Sequence, residues 1–231
     1  MIQVNNIIKE YNNVVVLNIP SLTIMQGESF GLVGNNGAGK TTFFRLLLDL
    51  TEPYSGEICI DGTAVARNES WKDITSSFLD EGFLIDFLTP EEYFSFVGKL
   101  YNKTQGDIDA FLEEMRDLFH DEILGHGKLI REYSKGNQKK IGIAAALLGD
   151  PKILILDEPF TALDPTSQIR LKKFLAEWQK RNNGIMLISS HDLNHITEVC
   201  QRIVVLEKGK VVRDIQSGED TLKELEGYFN I

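Results

Sequence analysis

Cysteine is scarce: Cys59 and Cys200 are the only two, far apart in a chain of 231 residues. That usage excludes a disulfide-stapled scaffold and lacks any metal-like spacing, so two buried apolar thiols in a reducing compartment are expected. Positive charge is also short, with 24 Lys and Arg against 34 Asp and Glu and a net charge of −10. A protein whose main work is gripping nucleic acid needs the opposite balance, because Lys and Arg must neutralise phosphates; no nucleic-acid partner is expected. Long apolar runs are missing too. The longest, Ile141 to Leu148, falls far below the ~20 residues of a membrane span. The start, Met1-Ile2-Gln3-Val4, has neither the basic nor the apolar region of a signal peptide. The chain is therefore expected in the cytosol, with no direct membrane insertion and any membrane association made through a partner. There is no low-complexity tract, basic tail or internal repeat.

What is present is a phosphate-binding pattern. Gly31 to Thr42 reads Gly-Leu-Val-Gly-Asn-Asn-Gly-Ala-Gly-Lys-Thr-Thr, in which Gly34, Gly39, Lys40 and Thr41 fit G-x-x-x-x-G-K-[ST]. The run before it, Glu28 to Val33, suits a buried strand, and Thr41 to Leu50 is apolar at helical spacing through Phe43, Phe44, Leu47 and Leu50. A glycine-rich loop between strand and helix curls its N–H groups into one concavity at the positive end of the helix dipole. Gly34, Asn35, Asn36, Gly37, Ala38, Gly39, Lys40, Thr41 and Thr42 are the expected cradle for a nucleoside triphosphate. Lys40 would reach the β- and γ-phosphates and the Thr41 hydroxyl would ligate Mg²⁺.

Along the chain, residues 2 to 9 and 14 to 25 read as antiparallel strands around Tyr11-Asn12-Asn13. Tyr11, at or near that turn, either packs or lays its ring over a base. Glu57 to Ile60 with Asp61-Gly62 reads as strand and hairpin turn, and Ile74 to Leu79 as a buried strand. Phe83 to Leu88 is unusually apolar, and composition alone favours core over an exposed docking surface. Thr89-Pro90-Glu91-Glu92 starts a helix: cap, first-turn proline and a Glu three residues after the cap. Helices are expected over 90 to 101, about 107 to 119, and 136 to 149, with no strand between them. The βα rhythm then returns with strand 152 to 156, helix 165 to 181, strand 185 to 190 and helix 192 to 200. A hairpin of 202 to 207 with 210 to 215 and a helix over 217 to 228 close the chain. This alternation predicts a mainly parallel α/β sheet covered on both faces, with ligands at the carboxyl ends of its strands.

Ile153-Leu154-Ile155-Leu156-Asp157-Glu158-Pro159 delivers two acids at the end of such a strand. Asp157 would hold Mg²⁺, and Glu158 would orient or deprotonate the water that attacks the γ-phosphate.

With these residues the chain resembles the ATP-binding cassette (ABC) ATPases over essentially its whole length. Gly34 to Thr42 and Leu154 to Glu158 look like their two nucleotide motifs, and Ala162-Leu163-Asp164 like their D-loop. Ser190-His191-Asp192 looks like the switch histidine, and Tyr11 falls where the family stacks an aromatic on adenine. Tyr133-Ser134-Lys135-Gly136-Asn137-Gln138 stands in place of the Leu-Ser-Gly-Gly-Gln signature. The resemblance implies a P-loop NTPase (RecA-like) fold with an N-terminal antiparallel β subdomain and an inserted α-helical subdomain. Its expected division is one domain over 1–231, with an ATP-binding core in 1–85 and 150–231 and a helical subdomain in 86–149. It further implies ATP and Mg²⁺ as ligands, with Glu158, His191 and Lys40 catalytic. Ser134, Gly136 and Asn137 of the signature are implied to reach nucleotide across a dimer of cassettes, and Asp164 of the D-loop is implied to bind nucleotide. Two departures stand out: Lys135 and Asn137 replace a glycine and the glutamine of the signature, and Asp80, with Glu81 as rival, replaces the Q-loop glutamine. A carboxylate there can ligate Mg²⁺ but cannot donate amide hydrogen bonds.

By resemblance the expected function is the ATP-hydrolysing subunit of a membrane transporter. It would form a homodimer or heterodimer of cassettes with separately encoded transmembrane permease subunits, peripheral on the cytoplasmic face of the cell membrane. The chain length, signature and acidic Q-loop are more similar to bacterial exporter cassettes than to importers. Beside the Q-loop, Phe83 to Phe87 then stands equally as core or as the docking surface for the membrane subunit. The alternative is a soluble ABC ATPase acting on ribosomes, DNA or a cluster-assembly scaffold. A GTP switch is disfavoured because no Asn-Lys-x-Asp run is present, and a cassette that binds without cleaving is disfavoured by Lys40, Asp157, Glu158 and His191.

Overall fold

Side-chain alternation along the strands sets the layers. In the computed structural model, which describes residues 1–229, β1 (Ile2–Tyr11) and β2 (Val14–Ile24) run antiparallel around Asn12 and Asn13, both at positive φ. Asparagine tolerates that region because its short side chain hydrogen-bonds locally. β3 (Ser29–Val33) runs into the phosphate loop and α1 (Lys40–Leu47) leaves it. β4 (Ser55–Ile60) and the short β5 (Thr63–Ala64) complete a four-stranded antiparallel sheet in the order β2-β1-β4-β5. After β6 (Thr75–Phe78) come α2 (Pro90–Leu100), α3 (Gln105–Glu114), α4 (Arg116–Phe119) and α5 (Lys135–Leu148), with no strand between them. The remainder is β7 (Ile153–Asp157), α6 (Pro165–Asn182), β8 (Ile185–Ser190), α7 (Leu193–Val199), β9 (Arg202–Glu207), β10 (Lys210–Gln216) and α8 (Thr221–Phe229). The second sheet has the order β10-β9-β3-β8-β7-β6. Its pairs are parallel except β9 with β10, which turn at Lys208 and Gly209, both at positive φ as a tight hairpin requires.

Period-two sorting divides the core. Ile153 and Ile155 of β7, Ile185 and Leu187 of β8, and Val204 and Leu206 of β9 face a layer shared with the antiparallel sheet and with Phe43, Phe44 and Leu47 of α1. Leu154, Leu156, Met186, Ile188, Ile203 and Val205 face the opposite layer, built from α2 to α8. Each such fully buried side chain contributes about 1.5–3 kcal/mol. Helix α1 is thereby clamped between two sheets, which fixes the loop at its start.

Helix starts follow their caps. Thr89 accepts from Glu92 N at 3.3 Å while Glu92 Oε2 accepts from Thr89 N at 2.9 Å, with Pro90 in the first turn; such a cap is worth about 1 kcal/mol. Thr104 and Asp107 form a second capping box, so the helix expected from about 107 begins at Gln105. That helix is also interrupted at Met115, and His120 at φ 52° ends α4. The expected end of the loop helix at Leu50 lies instead at Leu47, where Asp49 takes φ 53°. The closing helix begins at Thr221, because Gly218 N bonds the Thr221 hydroxyl in a preceding turn. The expected domain end at residue 231 lies outside the described residues.

Two burial expectations are corrected. Cys200 is buried but Cys59 is partly exposed, since Ile58 and Ile60 take the inward positions of β4; neither cysteine is bridged. Phe83 and Phe87 are 55% and 63% exposed, not core. The chain leaves β6 through the 3-10 turn Glu81–Phe83 and runs to the Thr89 cap along the surface.

Candidate functional site

The phosphate loop owes its shape to three glycines. Gly37 and Gly39 take φ of 81° and 110°, where a β-carbon is strained. At Gly34 an added Cβ would strike the Leu206 carbonyl and stand 2.9 Å from Ala38 Cβ. The loop borders a cleft of about 280 Å³ lined by Asn35 to Thr42 together with Tyr11, Val16 and Glu158. Tyr11, the last residue of β1, is 44% exposed, with Lys9 Nζ 4.8 Å from its ring centre.

Lys40 is buried, its ammonium donating to Gly34 O at 2.6 Å and pairing with Glu158 Oε1 at 3.4 Å. The other Glu158 oxygen lies 3.0 Å from His191 Nδ1. One carboxylate therefore joins the loop lysine to the histidine after β8. Thr41 Oγ1 donates to Asp157 Oδ2 at 2.5 Å. A hydroxyl and a carboxylate meeting at one point form a hard-oxygen set suited to Mg²⁺, which takes few protein ligands and keeps substrate phosphate oxygens and waters for the rest. Among the described residues no group of three His, Cys, Asp or Glu comes together as a metal cage. The loop's N–H concavity and buried cation fit a triphosphate equally well.

The turn after β7 is held hard. Glu158 takes φ 48° and Ala162 φ 63°, each costing about 1–3 kcal/mol for a side-chain-bearing residue. Glu158 N is bonded to Ser189 O at 3.2 Å and Ser189 Oγ at 3.0 Å. The same Ser189 hydroxyl donates to Asp157. On the carbonyl side, Glu158 O accepts from Lys139 Nζ and the Thr161 hydroxyl, both at 2.8 Å. Lys139, 6% exposed, also faces Glu81. Burial pulls its pKa below the ordinary lysine value, while Glu81, Glu158, Asp157 and Asp80 push the other way.

Other expected site residues lie outside this cleft. Ser134 caps α5, accepting from Asn137 N at 3.2 Å, and a Cβ on Gly136 would stand 2.7 Å from Ala162 O. Ser134, Gly136 and Asn137 thus start a helix that packs on the Ala162–Asp164 turn, and none of them lines the phosphate cleft. Asp164 caps α6, its carboxyl held below the ordinary range by the hydroxyl and N–H of Ser167. Asp80 turns onto Gly82 N at 2.7 Å, and Glu81 rather than Asp80 pairs with Lys139, at 3.8 Å. A separate apolar cleft of about 630 Å³ is lined by Trp71, Phe83, Tyr93, Phe96, Leu100 and Tyr101, among others. Sequence reasoning missed Ser189 and Lys139. Ser189 reads as one more strand residue, and Lys139 as a solvated position on a helix; only the three-dimensional meeting of β7, β8 and α5 gives either a role.

Strand, glycine loop, helix and an acidic strand end beside them define a P-loop nucleoside triphosphatase. A model of the ABC transporter family matches residues 17–161. The ABC transporter ATP-binding protein NatA of Bacillus subtilis is 35% identical over 200 residues, spanning 83% of this chain and 78% of NatA. The bacitracin transport ATP-binding protein BcrA of Enterococcus faecalis is 32% identical over 222 residues, 95% of this chain and 70% of BcrA. A solved ATP-binding subunit of an ABC transporter superposes with a TM-score of 0.84 at 27% identity, covering 100% of this chain and 93% of that one. The chain belongs to the ABC transporter family, as an ATP-binding cassette with the ATPase fold. Among the described residues no helix is long and apolar enough to cross a membrane.

Proposed function

We propose that this protein is the ATP-hydrolysing subunit of an ABC transporter, acting as a dimer of cassettes beneath separately encoded permease subunits on the cytoplasmic face of the membrane. The observation that carries the reading is the convergence of Lys40 and His191 on Glu158 at the phosphate cleft. The loop N–H groups and Lys40 bind the β- and γ-phosphates, and Tyr11 offers its exposed ring to the base. Thr41 and Asp157 hold Mg²⁺; Asp80, whose Oδ1 accepts from Gly82 N, has its second oxygen left to offer. Bound there, magnesium supplies Lewis-acid charge to the phosphate oxygens. Glu158 takes the proton of the attacking water, and His191 keeps the carboxylate oriented for it.

Completion of the site requires a second chain. Ser134, Gly136, Asn137 and Asp164 sit at helix starts away from their own cleft, and a helix N-terminus suits a γ-phosphate held by a partner's loop. In this division the core is 1–85 with 150–231, and 86–149 is the helical part that carries Ser134, Gly136 and Asn137. Exposed Phe83 and Phe87 beside the apolar cleft suit a membrane subunit, since exposed apolar patches mark interfaces. The Tyr-Ser-Lys-Gly signature supports export over import.

Steady-state ATPase measured across a dilution series tests the two-chain site. Specific activity should fall on dilution as dimers dissociate; constant activity down to a demonstrated monomer contradicts it.

A further inference from the structure

We propose that Lys139 is a positioning residue for hydrolysis, its buried ammonium fixing the strained peptide of Glu158 and tying it to Glu81. The inference rests on the reading of Glu158 as the base. Three separate segments meet on Lys139 Nζ: Glu158 O at 2.8 Å and Thr161 Oγ1 at 2.7 Å after β7, and Glu81 Oε1 at 3.8 Å after β6. An ammonium has three donors and no acceptor, and here three oxygens surround it. A lysine buried to 6% exposure is uncommon unless paired.

The role of such a cation follows from what it holds. Glu158 has φ 48°, a conformation that persists only where its surroundings over-determine it. Ser189 fixes the N–H side of that residue and Lys139 the carbonyl side. Without Lys139 the carbonyl keeps only the Thr161 hydroxyl and N–H, both from its own turn, so the whole turn can relax toward ordinary φ and swing the carboxylate away from Lys40 and His191. Lys139 does not line the phosphate cleft, so nucleotide affinity should not depend on it. Glu81 compensates the buried charge, which makes the 3-10 turn Glu81–Phe83 part of the same assembly.

Two explanations compete: Lys139 could merely neutralise Glu81, or it could hold the Glu158 carbonyl. Lys139→Met removes both functions, and the paired variant Lys139→Met/Glu81→Gln removes both charges so that neither is left buried and alone. ATP turnover, KM and binding of a fluorescent ATP analogue would be measured for both, with thermal melting as the folding control. We expect kcat to fall about 10²-fold in Lys139→Met and to stay that low in the paired variant, the cost typical of a misplaced reacting group. KM and analogue binding should stay near wild type, Lys139→Arg should recover most of kcat, and melting should recover in the paired variant. Full turnover in the paired variant, or a loss confined to KM, overturns the proposal. Glu158→Gln run alongside separates the two readings: if it is inactive while the paired variant runs at full rate, only the role of Lys139 falls.

Discussion

Ser189→Ala deletes one oxygen from a side chain with no exposed surface, and that oxygen serves two residues of the site. Its hydroxyl donates to Asp157 and accepts from Glu158 N at 3.0 Å. The Glu158 N–H keeps its second partner, Ser189 O at 3.2 Å, and Asp157 keeps Thr41 at 2.5 Å. Two hydrogen bonds are therefore lost, but the Glu158 N–H keeps a partner, so the cost is dominated by the bond to the Asp157 carboxylate, worth about 1.5–3 kcal/mol. For a chain of this size each kcal/mol lowers Tm by about 2–4 °C, so a fall of about 3–12 °C is expected by calorimetry. If the bond also holds the acids in place during reaction, the same energy corresponds to a drop of about 10- to 150-fold in kcat. Analogue binding should change little, because the loop and Lys40 are untouched. Wild-type Tm together with wild-type turnover would refute the claim that Ser189 organises the acidic end of β7.

Further expectations concern the surface and the pH response. Phe87→Glu, at a ring 63% exposed, should shift stability by no more than about 0.5 kcal/mol and leave the ATPase of the isolated subunit intact, while transport in cells is lost; a misfolded variant, or normal transport, contradicts a docking role. His195 packs 4.8 Å from Phe160, and among the described residues its Nδ1 has no hydrogen-bond partner. Burial holds its pKa below the ordinary value despite Asp192 at 3.6 Å. The unfolded chain therefore takes up that proton first as pH falls, so the stability linked to this group is whole above about pH 6.5 and declines below it. Thermal melts from neutral pH down to about pH 5.5 should show a smaller decline in His195→Gln than in wild type; identical profiles would refute the assignment.

Local chemistry made much of the fold legible. The continuous apolar runs read as strands at 152 to 156, 185 to 190 and 202 to 207 became strands whose two faces meet two different apolar layers. Thr89 announced a helix because a cap acts within one turn. The phosphate loop was legible for the same reason, its glycines, lysine and threonine being contiguous in the chain. What escaped was contact across the sheet. Ser189 and Lys139 are ordinary residues in sequence, and they acquire roles only where β7, β8 and α5 converge on Glu158. Phe83 and Phe87 misled by composition, since an apolar ring says nothing of whether the chain around it runs over the surface. Asp80 and Glu81 were not separable by counting; the side chains separate them, one turned to Gly82 N and the other to Lys139.

The central claim is that Glu158, held between Lys40 and His191, is the base in a site closed by a second chain. Glu158→Gln keeps the shape of the side chain and removes its basicity. The decisive measurement is ATP turnover of this variant together with its mass in solution with and without ATP. Hydrolysis should be lost and ATP should drive the variant into a stable dimer. Turnover at the wild-type rate, or a variant that binds ATP and stays monomeric, would contradict the account.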